Sequence, residues 1–148
     1  TNNIKDIILG GLAEIPHTSR LYKEIISVLD GFEDGISQSE CFKAIHKKFD
    51  EHIAHDWCHT ISNAMIVAAS LLYGQGDYGK SICIAVEAGF DTDCNGATVG
   101  SVLGMANGID SIPDYWTKPI NDILHTSIFG VNTVKISDRV KLTLEHIK

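Results

Sequence analysis

Apolar positions recur at helical spacing along most of the chain. Ile4, Ile7, Ile8, Leu12 and Ile15 follow it first, with Gly11 in phase, and Pro16 stops the pattern. A second helix is predicted from Ser19, carrying Leu21, Ile25, Val28, Leu29 and Phe32 and ending near Gly31 to Gly35. Ser37-Gln38-Ser39-Glu40 has the spacing of a capping box, in which serine hydroxyl and glutamate carboxylate satisfy each other's backbone N–H. The helix it opens carries Cys41, Phe42, Ile45 and Phe49. Residues 50–58 break the pattern with histidines and acids. A long helix is then predicted from about His59 to Tyr73, apolar except where Asn63 and Ser70 interrupt it. Asp77 is a natural N-cap for a helix running to Ala88, and Gly89 suits the left-handed residue that ends one. Asp91 to Gly96 opens a further helix to about Asn107. Pro113 and Pro119 punctuate two shorter turns or helices, and Ser137 or Asp138 is placed to cap a last helix. Val131 to Ile136 reads as a short strand with no partner in the sequence. The pattern predicts an all-α fold, a compact multi-helix array in a single domain over residues 1–148.

Composition agrees with a packed globular chain. Of 148 residues 44% are hydrophobic and 21% charged, with 13 glycines and 3 prolines, which excludes a disordered or collagenous chain. The formal charge is −7, and no basic block exceeds Lys47-Lys48, so binding to a nucleic-acid backbone is disfavoured. The longest apolar stretch, Ala64 to Tyr73, is too short to span a bilayer. Cys41, Cys58, Cys83 and Cys94 form no C-x-x-C pair; buried, reduced thiols in a cytoplasmic protein are expected. The chain starts at Thr1, and its methionines are Met65 and Met105, which suggests a processed chain or one piece of something longer.

The densest chemistry precedes the 92–107 helix. Asp91 and Asp93 stand one residue apart, followed by Cys94, Asn95 and Gly96. Capping is the commoner use of acids at a helix start, since the dipole favours an anion there. One carboxylate would satisfy it. Two repel each other, and a divalent cation with oxygen ligands relieves the repulsion. The helix that follows repeats glycine at Gly96, Gly100 and Gly104, each costing about 1 kcal/mol relative to alanine. Close backbone approach is the compensation: to another helix at Gly100 and Gly104, and to a ligand at Gly96.

The stretch Ala88-Gly89-Phe90-Asp91-Thr92-Asp93-Cys94-Asn95-Gly96-Ala97-Thr98-Val99-Gly100-Ser101-Val102-Leu103-Gly104 resembles the C-terminal signature of the ADP-ribosylglycohydrolase family. The resemblance extends to Ala13-Glu14-Ile15-Pro16 with Ser19-Arg20, to 59–64, and to Asn121-Asp122 with Ser127-Ile128-Phe129-Gly130, covering roughly residues 5–135. It implies an all-helical fold and a metal-dependent hydrolase that cleaves the bond from the anomeric carbon of ADP-ribose. It also implies two ions, Mg2+ or Mn2+, with Asp91 and Asp93 as catalytic metal ligands. Where the family often has a threonine ligand this chain has Cys94; a thiol suits a hard cation poorly, so Cys94 or water completes that position. Asn95, Gly96, His59 and Asn63 are the expected substrate-side residues. The last two lie four apart on one helix face, where hydrogen bonding to neighbouring backbone is the alternative. The implied partner is an ADP-ribosylated protein or an ADP-ribose-containing small molecule. The family's N-terminal G-D-x-x-G and Thr/Ser-Asp-Asp segments have no counterpart here. The chain is therefore expected to be the C-terminal portion of a longer domain, inactive alone and able to self-associate through an uncovered face.

Other readings compete. His52, His55, Asp56, Cys58 and His59 offer zinc ligands, without the spacing of a closed structural site. The His55-Asp56 doublet resembles the helical HD-type metal phosphohydrolases, which would enlist His46 and Asp91. Trp57 or Trp116 could stack an adenine, with packing the commoner role. A non-catalytic module that binds ADP-ribose or a partner is the alternative outside enzymes.

Overall fold

The computed structural model describes residues 1–147, and the chain falls into two units, Thr1–Ser111 and Ile112–Lys148. The chain is predominantly helical, as the pattern predicts.

The first unit holds α1 (Ile4–Ala13), α2 (Arg20–Glu33), α3 (Gln38–Lys48), the short α4 (Ala54–Trp57), α5 (Thr60–Gly74), α6 (Tyr78–Glu87) and α7 (Thr92–Asn107), then a 3-10 turn, Ile109–Ser111. Local chemistry sets most of the starts. The Ser19 hydroxyl accepts the Tyr22 N–H, the Asp77 carboxylate accepts the Lys80 N–H, and both halves of the Ser37/Glu40 capping box are present. Gly89, at φ 81°, follows α6 as expected of a left-handed residue past a helix end.

α5 is the hub. Ala68, Ala69, Ser62, Ser70 and Gly74 are buried along it, and such small side chains let neighbours pack on several faces. One side joins Ile8 and Leu12 of α1, Ile25, Val28 and Leu29 of α2, and Cys41 and Ile45 of α3 in the main core. Leu71 joins a second core with Ala85 of α6 and Val99 and Leu103 of α7. At the α5–α6 approach, a Cβ on Gly74 would stand 2.8 Å from the Ser81 Cα, which is backbone and cannot rotate away. Gly74→Ala therefore forces the helices apart, and thermal unfolding should show a loss of about 1–3 kcal/mol. An unchanged melting temperature would refute this packing.

The buried face of α6 corrects one expectation. Ser81, Ile84 and Ala85 point inward, and Cys83 falls on the opposite face and is exposed. Of the four free thiols Cys41 alone is buried; Cys58 and Cys94 are exposed as well.

The second unit contains α8 (Asp114–Thr117), a 3-10 turn (Lys118–Ile120), β1 (Ile123–His125), β2 (Thr133–Lys135) and α9 (Ile136–Leu144). The expected strand does have a partner: β1 and β2 pair antiparallel, with Leu124 opposite Val134. Neither Ser137 nor Asp138 caps the last helix, which begins at Ile136 with Lys135 at the N-cap. Asp122 instead accepts the Ser137 backbone N–H at 2.8 Å and its hydroxyl at 2.7 Å, tying α9 to the end of β1. These two hydrogen bonds, the hydroxyl first, hold the Asp122 carboxyl below the usual carboxylate range.

Candidate metal centre

Asp91 occupies the N-cap of α7, yet its side chain makes no capping hydrogen bond. Hydrogen-bonded capping therefore does not account for it, and its charge acts on the helix through the dipole alone. Asp93 and Cys94 follow in the first turn, both exposed, while Asp91 is half-buried. One ligand atom from each of Asp91, Asp93 and Cys94 lies within 4.8 Å of the other two. Among the described residues this is the one group of three or more histidine, cysteine or acidic side chains that converges in this way. The Asp91 carboxylate accepts from the Cys94 thiol. That contact, the Asp91 charge and then the charge of Asp93 raise the thiol above its ordinary pKa.

The loop that presents this group is held from four directions. Ala88, Gly89, Phe90 and Asp91 link α6 to α7, and Gly89 and Phe90 both have positive φ, 81° and 57°. Left-handed backbone is uncommon for a bulky residue such as Phe90, which is also buried. Its surroundings hold it there. Glu51 accepts the Phe90 N–H at 3.0 Å, and the Trp57 indole N–H donates to the Phe90 carbonyl at 2.7 Å. His46 Nε2 donates to the Ala88 carbonyl at 2.9 Å, and its ring lies 4.9 Å from that of Phe90. Asn63 Oδ1 accepts the Asp91 N–H at 3.2 Å. The positive φ favours glycine at Gly89, and a Cβ there would displace the Glu51 carboxylate, 2.0 Å away.

Asn63 is the keystone of this arrangement. Its Oδ1 also accepts from the buried Asn95 Nδ2 at 2.7 Å, and its own Nδ2 donates to the carbonyls of Trp57 at 2.8 Å and His59 at 3.0 Å. Both ends of the amide are thus spent inside the protein. Asn63 positions the Asp91 backbone and the first turn of α7. Asn95 is 2% exposed and points at Asn63. His59 is the N-cap of α5: its Nδ1 accepts the Ile61 N–H at 3.1 Å, which leaves the ring proton on Nε2. Gly96 faces α6, where a Cβ would meet Val86 Cγ2 at 3.2 Å; Gly100 likewise faces Tyr78 and Ile82. Helix packing thus accounts for Gly96, which was expected to make room for a ligand.

The histidine- and acid-rich segment also has a structural account. Asp56 accepts from His55 Nδ1 at 3.0 Å and from the Asp50 N–H at 3.1 Å. These contacts, His55 first, hold its carboxyl below the usual range. His46 is on the Ala88 carbonyl and not beside His55. Neither the zinc grouping nor the phosphohydrolase grouping of these residues assembles among the described residues. Sequence reasoning missed the roles of Glu51, Trp57 and His46 as props for the 88–91 loop, because their targets lie 39, 33 and 42 residues away.

Beside the acidic group runs a groove of about 510 Å³ between α1, α2, α5 and α7. Ile8, Leu12, Val67 and Val102 line it, and it shares Cys94, Asn95 and Asn63 with the site just described.

The fold is predominantly helical, and its two converging carboxylates lie at a helix N-terminus. The ADP-ribosylglycohydrolase family model matches residues 2–143, nearly the whole chain, and the chain belongs to that family. No curated protein and no solved structure matches it significantly. Among the described residues no helix is long and apolar enough to cross a membrane.

Proposed function

We propose that this chain takes part in the hydrolysis of an ADP-ribosyl N- or O-glycosidic bond, with Asp91 and Asp93 as the carboxylate ligands of Mg2+ or Mn2+. The observation that carries the reading is the Asp91 side chain, placed at a helix N-cap but making no cap bond, beside Asp93 in a chain of this family. The donor set fits a divalent ion in charge, because two nearby carboxylates repel until a cation lies between them. Bound there, the ion supplies Lewis acidity toward sugar hydroxyls and water.

The protein's own contribution is placement. Asn63 fixes the Asp91 backbone, and Glu51, Trp57 and His46 hold the loop on which the carboxylates sit. A preset loop lets the carboxylates meet ion and substrate without reorganising at each turnover. The shared groove offers an apolar wall next to the acids, suited to the uncharged part of a nucleotide conjugate. The substrate is then an ADP-ribosylated protein or an ADP-ribose-containing small molecule, with Asn95 bracing Asn63 and His59 capping α5 behind the site.

The test is release of free ADP-ribose from an ADP-ribosylated protein and from a small ADP-ribosyl conjugate. It is run with this chain and with the whole open reading frame that encodes it. Release should require Mg2+ or Mn2+ and stop in Asp93→Asn. Metal-independent release, or none from either form, rejects the reading.

A further inference from the structure

A separate cavity of about 350 Å³ lies between α2 and α3, and none of its lining residues lines the groove beside the acidic group. Val28, Cys41, Ile45 and Met65 line it and are themselves buried, so they form its floor. Small-molecule sites start near roughly 300 Å³ and are mostly apolar, which this cavity matches. An engineered apolar cavity of about 150 Å³ already takes one benzene ring, so two fused rings fit here.

The polar groups around the mouth select against charge. The Glu40 carboxylate accepts the Ser37 N–H at 3.1 Å, Lys48 pairs with Glu24, and the Ser27 hydroxyl donates to the Glu24 carbonyl at 2.7 Å. The charges of Glu40 and Lys48 are of opposite sign, and each already holds a partner. Neither an anion nor a cation therefore gains enough there to offset its lost hydration. Burial holds the Cys41 thiol above its ordinary pKa, which keeps it neutral as well. Cys41 and Met65 both bring sulfur to the floor, and polarisable sulfur favours contact with an aromatic ring edge.

One side chain stands at the entry. A Cβ on Gly31 would meet Ile36 Cδ1 at 3.2 Å, so the bare glycine lets Ile36 lie along the cavity wall. The Ile36 backbone is pinned: its N–H donates to the Gly31 carbonyl at 2.9 Å, and its carbonyl accepts the Tyr73 hydroxyl at 2.7 Å. The Ile36 side chain is exposed, so admitting a ring asks only for a change of rotamer.

We infer that this cavity binds a neutral aromatic small molecule the size of two fused rings, at a site independent of the acidic group. Indole is the probe, added to the full chain labelled with 13C at its methionine and isoleucine methyl groups. The Met65, Ile36 and Ile45 signals should shift saturably, while those of Met105 and of Ile7 and Ile8 in the groove stay in place. Indole-3-acetate, an anion, should bind at least about tenfold more weakly than indole. Decahydro-2-naphthol, neutral and of two saturated rings, should bind about threefold more weakly or worse, because it lacks the ring edge that sulfur favours. Ala44 lines the cavity but is exposed, so Ala44→Phe sets a ring over the mouth without straining the core. Indole affinity should then fall at least about tenfold, with thermal melts checking that the variant is folded. Unshifted Met65, shifts at the groove methyls instead, or equal binding of either analogue overturns the inference. Undiminished affinity in folded Ala44→Phe overturns it too.

Discussion

Replacing Asp91 and Asp93 together with asparagine is expected to weaken Mn2+ binding by about 100-fold or more. Removing a group that merely supports a ligand already costs roughly 10–100-fold, and on the proposed reading the ligands themselves are lost. Stability should hardly move. Asp93 is exposed, Asp91 makes no cap bond, and each carboxylate contributes about 0.3–1 kcal/mol through the helix dipole. Relief of their mutual repulsion offsets part of that. Calorimetric titration of Mn2+ reads the affinity, and thermal melts with and without the ion supply a second readout. An ion at 100 times its dissociation constant stabilises the native state by about 2.7 kcal/mol, a gain the double variant should lose. Full retention of ion-induced stabilisation would show that the carboxylates do not hold the ion.

Asn63→Ala should be the most damaging single change near the site. It deletes hydrogen bonds to Asp91, Asn95, Trp57 and His59 together. Asn95, at 2% exposure, is left with a buried amide whose partner is gone. A loss of about 2–4 kcal/mol follows from leaving such a network partly satisfied. Ion affinity should fall too, because the Asp91 backbone loses its anchor. Asn63→Asp separates the two effects. It keeps an acceptor for Asp91 and Asn95, drops both donor bonds and adds a third negative charge behind the pair. Denaturant unfolding with Mn2+ titration distinguishes the variants; a melting temperature for Asn63→Ala within a degree of the parent would contradict the network.

Short-range chemistry was the legible part of the sequence. The helix start at Ser19, the Asp77 cap, the Ser37/Glu40 box and the glycine after α6 each involve residues within a turn of one another, and each stands where the spacing placed it. The hairpin was not legible: β1 has three residues, all exposed, and so carries no alternation to recognise. Ser137 failed as a cap because a tertiary partner, Asp122, took its hydroxyl. At the site, the two aspartates were readable as a pair, and the converging thiol was named with them. Whether Asp91 would spend its carboxylate on capping depended on backbone angles that spacing does not fix. The meaning of the 50–58 segment depended on the loop it faces: Glu51 and Trp57 bond the Phe90 backbone, while His55 pairs with Asp56.

The props of the 88–91 loop also bear on the order in which the molecule assembles. The carboxylates are joined to their supports across 42, 39, 33 and 28 residues of chain. Helices close their own bonds locally and early, whereas contacts of this separation wait on loop closure. During refolding, helical signal should therefore return before the protein regains the cation affinity proposed for it. Ion binding followed in real time then becomes a clock for the last stage of folding, reporting when α3, α5 and the 88–91 loop have come together.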